Sequence, residues 1–383
     1  MTPVTYLDNN ATTRPAPEVV AAMLPYLNDL YANPSSVHRF GQLARKAIDD
    51  ARVAVADLIG CRDSELIFTG AGTESVNTAI RGLLAARAPR KRIVTSTVEH
   101  SATRELCRQL ARESYEICQI DVDHDGQLPI DALAAALNDQ TALVTFLWAN
   151  NETGVIFPIP RIAELCRKSG VPLHVDGTQA VGKIPVNVHE ANLDAMSFAA
   201  HKFHGPKGVA ALYARRGIRI RPLLIGGPQE RQRRGGTENV PGIVGMGKAA
   251  ELAKQHLHGM AQVAQLRDRL ERGILQRIAD TSVNGSLDHR LPNTSNISFA
   301  LVEAEAILLL LSEQDICASA GAACSSGSLE PSHVLQAMKI DPRLAHGAIR
   351  FSLSRLTTSQ EIDRTLQILP GVIAKLRQVM PVG

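Results

Sequence analysis

Short β-branched apolar runs alternate with longer amphipathic stretches from about residue 50 to about residue 250, and this alternation constrains the fold more than any other feature. The runs are Leu66–Thr69, Arg92–Thr97, Ala142–Trp148, Pro172–Val175 and Ala195–Phe198; helical patterns such as Ser75–Ala86 and Ile159–Ser169 lie between them. Parallel strands need long, usually helical crossovers, so the pattern predicts a mainly parallel α/β sheet. Beyond Val244 the texture changes. One long helix is expected from about residue 247 to about 279, followed by strands Asn296–Ala300 and Ala348–Leu353 and helices Glu303–Glu313 and Ser359–Met380. The expectation is a large domain over residues 15–250 and a smaller α+β domain built from 1–14 and 251–383.

Composition removes several classes of function. A net charge of +3 gives no nucleic-acid surface, and 4% aromatic residues are too few for base-stacking platforms. The most apolar run, Ala306–Leu311, is far too short to span a bilayer. The N-terminus MTPVTYLDNNATT lacks a basic region followed by an apolar stretch, so no signal peptide and a cytoplasmic location are expected. The six cysteines (Cys61, Cys107, Cys118, Cys166, Cys317 and Cys324) form no CxxC pair, and reduced thiols are expected.

Ligands of open α/β sheets bind beyond the carboxyl ends of the strands. The residues that follow the five runs are therefore informative. They are Gly70-Ala71-Gly72-Thr73-Glu74-Ser75, Glu99-His100-Ser101, Asn150-Asn151-Glu152, Asp176-Gly177-Thr178-Gln179 and His201-Lys202. Each has a bland reading alone. Asp176 could cap a helix, His100 could be a satisfied core histidine, Lys202 could lie on the surface, and a Gly-rich turn opening a helix need not bind an anion. Together they offer a carboxylate for a pyridine nitrogen, a lysine that can condense with an aldehyde, and a helix N-terminus for a phosphate. Those are the contacts that pyridoxal 5'-phosphate requires of a protein, with His100 able to stack on the ring.

The segments YLDNNATT (6–13), NPSSVH (33–38), EHSA (99–102), WANNETG (148–154), HVDGTQAVGK (174–183), HKFHGPKG (201–208), RRGGTENVPGIVG (233–245) and ACSSGSLEPSHV (323–334) closely resemble the cysteine desulfurases of the class-V aminotransferase family, the nitrogen-fixation (NifS-like) branch most of all. The resemblance implies a fold-type I pyridoxal-phosphate enzyme with a seven-stranded large domain. It implies that Lys202 holds the cofactor covalently, that Asp176 pairs with the pyridinium nitrogen and that Gln179 meets the ring's phenolate oxygen. His100 would stack and move protons. Gly72, Thr73 and His201 would hold the phosphate. Thr237 would reach the phosphate of the neighbouring subunit, making a homodimer with composite sites. Asn151, also at the cofactor, and Arg350 would bind the substrate carboxylate, a task that suits an arginine fork. The reaction implied is conversion of L-cysteine to L-alanine, with the sulfur passed to an iron–sulfur scaffold protein, in a nitrogenase-related or a housekeeping role. No resident metal is implied; Cys324 would meet a cluster only on the acceptor. Two departures from the family pattern stand out. Ala199 replaces the usual serine three residues before Lys202, removing a hydrogen bond worth roughly 1.5–3 kcal/mol. Pro228 also interrupts the usual glycine run before Gln229-Glu230.

Cys324 sits among small residues, Ser319-Ala320-Gly321-Ala322-Ala323-Cys324-Ser325-Ser326-Gly327-Ser328, which bury little apolar area and predict a mobile stretch. The family pattern makes Cys324 the nucleophile that holds the persulfide, with His100 proposed to deprotonate it, since the thiolate is the reactive form. The other five cysteines are read as structural. The basic cluster Arg231, Arg233 and Arg234 is either an anion or partner surface or a solvated loop beside the dimer interface. Competing functions are an aminotransferase, against which Cys324 argues, a selenocysteine lyase built on the same constellation, and a non-catalytic sulfur carrier, for which the cysteine spacing offers no cluster motif.

Overall fold

The computed structural model describes residues 4–320 and 331–379. Its strands are β1 (Thr5–Tyr6), β2 (Leu66–Thr69), β3 (Arg92–Ser96), β4 (Glu116–Ile120), β5 (Thr141–Leu147), β6 (Leu173–Asp176), β7 (Ala195–Ala199), β8 (Ala210–Ala214), β9 (Thr281–Val283), β10 (Thr294–Phe299), β11 (Ile316–Cys317) and β12 (Ala348–Ser352). Seven of them form one sheet in the order β2-β8-β7-β6-β5-β3-β4. Only β8 runs against its neighbours, β2 and β7; the other strands are parallel. Every residue of β2, β5, β6, β7 and β8 is buried, because helices cover both faces. One core joins Phe68, Val144, Phe146, Val175 and Phe198 to helices Arg39–Ile59 and Val240–His256; on the other face Ile67, Ile93, Leu143 and Leu212 pack against helices Gly72–Ala85 and Ser101–Arg112.

The expected mainly parallel, seven-stranded sheet is therefore present, and β4 and β8 complete the five runs read from the sequence. Neither β4 nor β8 was anticipated. β4 is half exposed, and β8 reads AALYA, with three alanines where strands favour β-branched residues. The expected helix over residues 247–279 is corrected. Val240–His256 and Met260–Arg277 are separate helices joined by a 3₁₀ turn, Leu257–Gly259. The first starts early because Asn239 accepts the Gly242 N–H and Pro241 occupies the first turn.

A second sheet, ordered β12-β10-β9, is antiparallel, and its core holds Ile297, Phe299, Ile349 and Phe351 against helices Met260–Arg277, Ala304–Ser312 and Ser359–Val379. β1 pairs with β11 in parallel, and Leu7 joins the same core. From there the chain passes Asp8, which bridges to Ser352, and crosses to the carboxyl edge of the large sheet. No helix among the described residues is long and apolar enough to cross a membrane.

Candidate active site

The sheet order reverses between β3 and β5: the chain steps out to β4 and returns on the other side of β3. Crevices of this type open at the carboxyl edge. A cavity of about 340 Å³ lies there, lined by Gly72, Thr73, His100, Asn151, Asp176, Gln179, His201, Lys202 and Arg350, with Asn10, Thr178 and Ala199.

Helix Gly72–Ala85 opens into this cavity without a cap. Ala71 holds the N-cap position and provides no side-chain hydrogen bond, and the N–H groups of Gly72 and Thr73 have no hydrogen-bond partner among the described residues. Orphan donors and the positive end of a helix dipole suit an anion. A Cβ built on Gly72 would lie 3.5 Å from Ala199 Cβ and 3.8 Å from Thr178 Oγ1, so the glycine leaves open a small cradle with a hydroxyl on its rim.

At the end of β3, His100 caps helix Ser101–Arg112, its Nδ1 accepting the Ala102 N–H at 3.2 Å. In the neutral ring the proton is therefore on Nε2. Its neighbour Glu99 is fully enclosed. One carboxylate oxygen accepts from Ser96 Oγ at 2.6 Å and the Leu147 N–H at 3.2 Å; the other has no partner among the described residues. Burial, against those two hydrogen bonds and with Asp176 nearby, pushes its pKa up to about 8.

Beyond β5, Asn150 Oδ1 fastens the turn through the N–H groups of Glu152 and Thr153, at 2.8 and 3.0 Å. This sets the Asn151 carbonyl, which accepts from Arg350 Nη1 at 3.0 Å and Asn10 Nδ2 at 3.1 Å. Asp176 ends β6, buried, with Oδ1 accepting the Thr178 N–H at 3.0 Å. Beneath it His174 lies between Thr145 and Ser197 hydroxyls, both at 2.8 Å, and burial holds its pKa down to about 4, so it is a neutral strut.

Lys202 sits in the 3₁₀ turn Ala200–Lys202, where the chain leaves β7 before returning as β8. Its Nζ donates to the carbonyls of Asn10 (2.7 Å) and Ala11 (2.9 Å). His201 Nδ1 lies 3.2 Å from Thr12 Oγ1, and burial, followed by Lys202, Lys207 and Lys183, lowers its pKa to about 4. On β12, Arg350 is 2% exposed, reaching Asp8 at 2.5 Å as well as the Asn151 carbonyl; its Nε has no partner among the described residues.

The structure thus brings together Gly72, Thr73, His100, Asn151, Asp176, Gln179, His201, Lys202 and Arg350. Thr237 is not among them. It lines a separate depression with Gly70, Arg234 and Asn239. The loop leading to it has three successive non-glycine residues, Glu230, Arg231 and Gln232, in the left-handed region. They are held by buried Glu230, which pairs with Arg52 at 2.6 Å and accepts the Phe68 N–H at 3.0 Å. The basic cluster is engaged within the chain. Arg231 lies 3.6 Å from Asp63, Arg233 donates to the Leu66 carbonyl and Arg234 pairs with Glu74. Cys324 lies outside the described residues. Burial raises the pKa of Cys61, Cys107, Cys166 and Cys317, to about 12 for Cys107 and Cys166, which keeps them as thiols.

Sequence reasoning missed Asn10 and Lys183. Asn10 accepts from Gln179, Lys183, Lys202 and Asn293 and donates to Asn151, Thr294 and Ser352. Lys183 is buried and donates to Asn10 Oδ1 at 2.8 Å and to Gln179 Oε1. The available signal was that both residues lie inside segments singled out for other members, YLDNNATT and HVDGTQAVGK.

Comparison with known proteins places this site in a family. The aminotransferase class-V profile matches residues 5–365. Cysteine desulfurase 2 of Trichormus variabilis is 52% identical over 378 residues, covering 99% of this chain and 95% of that protein. Cysteine desulfurase NifS of Azotobacter vinelandii is 50% identical over 378 residues, covering 98% and 94%. Among solved structures, a NifS-like protein superposes with a TM-score of 0.92 at 36% identity over 98% of this chain and 100% of that one. SspA in complex with cysteine superposes with a TM-score of 0.82 at 32% identity over 92% and 99%.

Proposed function

The chain belongs to the class-V aminotransferase family, among its cysteine desulfurases, and we propose that it uses pyridoxal 5'-phosphate to take sulfur from L-cysteine, release L-alanine and hold the sulfur on Cys324 as a persulfide. The observation that carries this reading is the meeting of Lys202, Asp176, an uncapped helix N-terminus and Arg350 around one cavity. That donor set fits the cofactor at each of its functional groups. Lys202 would hold the aldehyde carbon, and Asp176 would pair with the ring nitrogen and keep it protonated. The free N–H groups of Gly72 and Thr73, with His201, hold the phosphate; Ala199 contributes no hydroxyl there, while Thr178 Oγ1 lies at the same cradle. His100 would stack on the ring.

When bound, the cofactor supplies the electron sink that lets the substrate Cα proton leave. Arg350 and Asn151 orient the substrate carboxylate. Lys202, once the substrate amine has taken its place, is the base for the Cα proton. His100 exchanges protons with the cavity through Nε2, since Nδ1 is engaged by the Ala102 N–H. The Cys324 thiolate attacks the substrate Sγ. An S–S bond forms as the Cβ–Sγ bond breaks, the electron pair stays on the carbon side, and alanine forms when Cβ takes a proton and Cα regains the one that Lys202 removed.

The working unit is a homodimer in the cytoplasm. Its support is that Thr237 lies away from the cavity of its own chain, and that Val37 (95% exposed) and Ile225 (89%) leave apolar surface to cover, with Val20, Leu24, Leu27 and Tyr31 also exposed. The sulfur acceptor is an iron–sulfur scaffold protein, nitrogenase-related by the NifS likeness.

Purified protein with cofactor, L-cysteine and a thiol reductant should release sulfide and alanine in equal amounts. Cys324→Ala should bind cofactor and substrate yet release no sulfide. Sulfide from that variant at the parent rate removes Cys324 as acceptor, and a parent that makes no alanine removes the reaction.

A further inference from the structure

Lys183 is a lysine that the mechanism above does not use. It is 5% exposed, and it does not line the active-site cavity; it lies four residues beyond Gln179, in the turns that follow β6. Among the described residues no carboxylate pairs with it. Its Nζ has two acceptors instead, Asn10 Oδ1 at 2.8 Å and Gln179 Oε1. We propose that Lys183 is a positioning residue that, with Asn10, fixes the Gln179 amide so that an N–H faces the cavity. This rests on the cofactor reading above, because the consequence falls on a ring hydroxyl bound there.

A carboxamide can be turned end for end with little change in shape, so its orientation has to be dictated by its partners. Here both partners agree. Lys183 only donates, so it selects the oxygen end of Gln179. The Asn10 carbonyl only accepts, so it selects the nitrogen end, at 3.0 Å. A turned amide would set its NH2 against the lysine and its oxygen against the carbonyl. The nitrogen has two hydrogens and Asn10 takes one, leaving the second for the cavity that Gln179 lines. The same Asn10 carbonyl accepts from Lys202 Nζ at 2.7 Å, so Gln179 and Lys202 share one anchor.

Burial lowers the Lys183 pKa well below the ordinary lysine value, and Lys202 and Arg350, the charged groups facing it, lower it further. A space-filling role would need neither acceptor; a methionine of similar length would serve.

The visible absorbance of bound pyridoxal 5'-phosphate, followed against pH, tests the assignment. A donor to the ring oxygen favours its ionised form. Lys183→Met, which frees the amide to turn, should therefore raise the midpoint of the absorbance change by about one pH unit, the effect of about one hydrogen bond to a charged form. In a Gln179→Leu background the same substitution should add no further shift. Asn10→Ser, which withdraws Oδ1 from the lysine, should move the midpoint in the same direction, and decides the matter if Lys183→Met does not fold. Unchanged midpoints overturn the proposal, as does an equal shift from Lys183→Met in both backgrounds, which would mean that the lysine acts without Gln179. A parent protein that acquires no visible band overturns the cofactor reading itself, an outcome distinct from the other two.

Discussion

Two regions face each other across the cavity, and they are built on opposite principles. The carboxyl edge of the large sheet presents Gly72, His100, Asn151, Asp176 and Lys202, each within a few residues of the strand that positions it. The opposing wall, residues 8–13 with Arg350 of β12, is tied to the site by contacts distant in sequence. Asn10 is held by Ser352, Thr294, Asn293, Gln179 and Lys183, and Arg350 by Asp8 and the Asn151 carbonyl. The first region carries reacting groups on rigid elements. The second is a hydrogen-bonded clasp that sets how those groups are presented. The chemistry should therefore be lost by changes on the sheet edge that leave the fold intact, whereas changes in the clasp should alter binding and orientation first.

The sharpest test of that division is Lys202→Ala. Alanine release should fall by about 10²–10⁴-fold, the scale of a positioned acid–base group, with circular dichroism and thermal midpoint close to the parent; a large loss of stability would show that the lysine also holds the clasp together. Arg350→Lys probes the other side. The charge remains but the fork is lost, and kcat/KM for L-cysteine should fall about 10–100-fold, mostly through KM, in line with ~1.5–3 kcal/mol for a charged hydrogen bond. Glu99→Gln gives the smallest effect. The Glu99 pKa is raised by burial from 4.5 to about 8, so the folded state holds that proton more tightly than the unfolded chain does. Its contribution to stability is complete below pH 4.5 and lost as pH rises through about 8. Urea unfolding should show Glu99→Gln gaining on the parent by ~1–3 kcal/mol between about pH 5 and pH 9. A difference that does not change with pH would place an ionised carboxylate in the parent.

The same contrast explains what could be read in the sequence. β2, β5, β6 and β7 are buried on both faces and write continuous apolar runs, and the residues just past them mark the sheet edge. β4 has two exposed polar residues, Glu116 and Gln119, and the alanines of β8 carry little strand signal, so neither stands out from a helical pattern. The break at Leu257–Gly259 is hidden because the polar-apolar periodicity continues beyond it. Lys183 is a more instructive omission. Lysine is among the residues least often buried, and its partner Asn10 is 173 residues away, so no local pattern distinguishes it from a surface lysine. Arg350 was legible only through the family likeness, for the same reason.

The separation of 342 residues between Asn10 and Ser352 also sets an order of events in the making of the protein. Asn10 leaves the ribosome well before Asn293, Thr294 and Ser352, which hold it together with the earlier Gln179, Lys183 and Lys202. At roughly 5–20 residues per second, the interval is about 20–70 seconds. During it the large sheet can already collapse, while the wall opposite Lys202 lacks the anchors that β10 and β12 supply. The nascent chain thus carries an open half-site, and the chamber is finished only once β12 has been made.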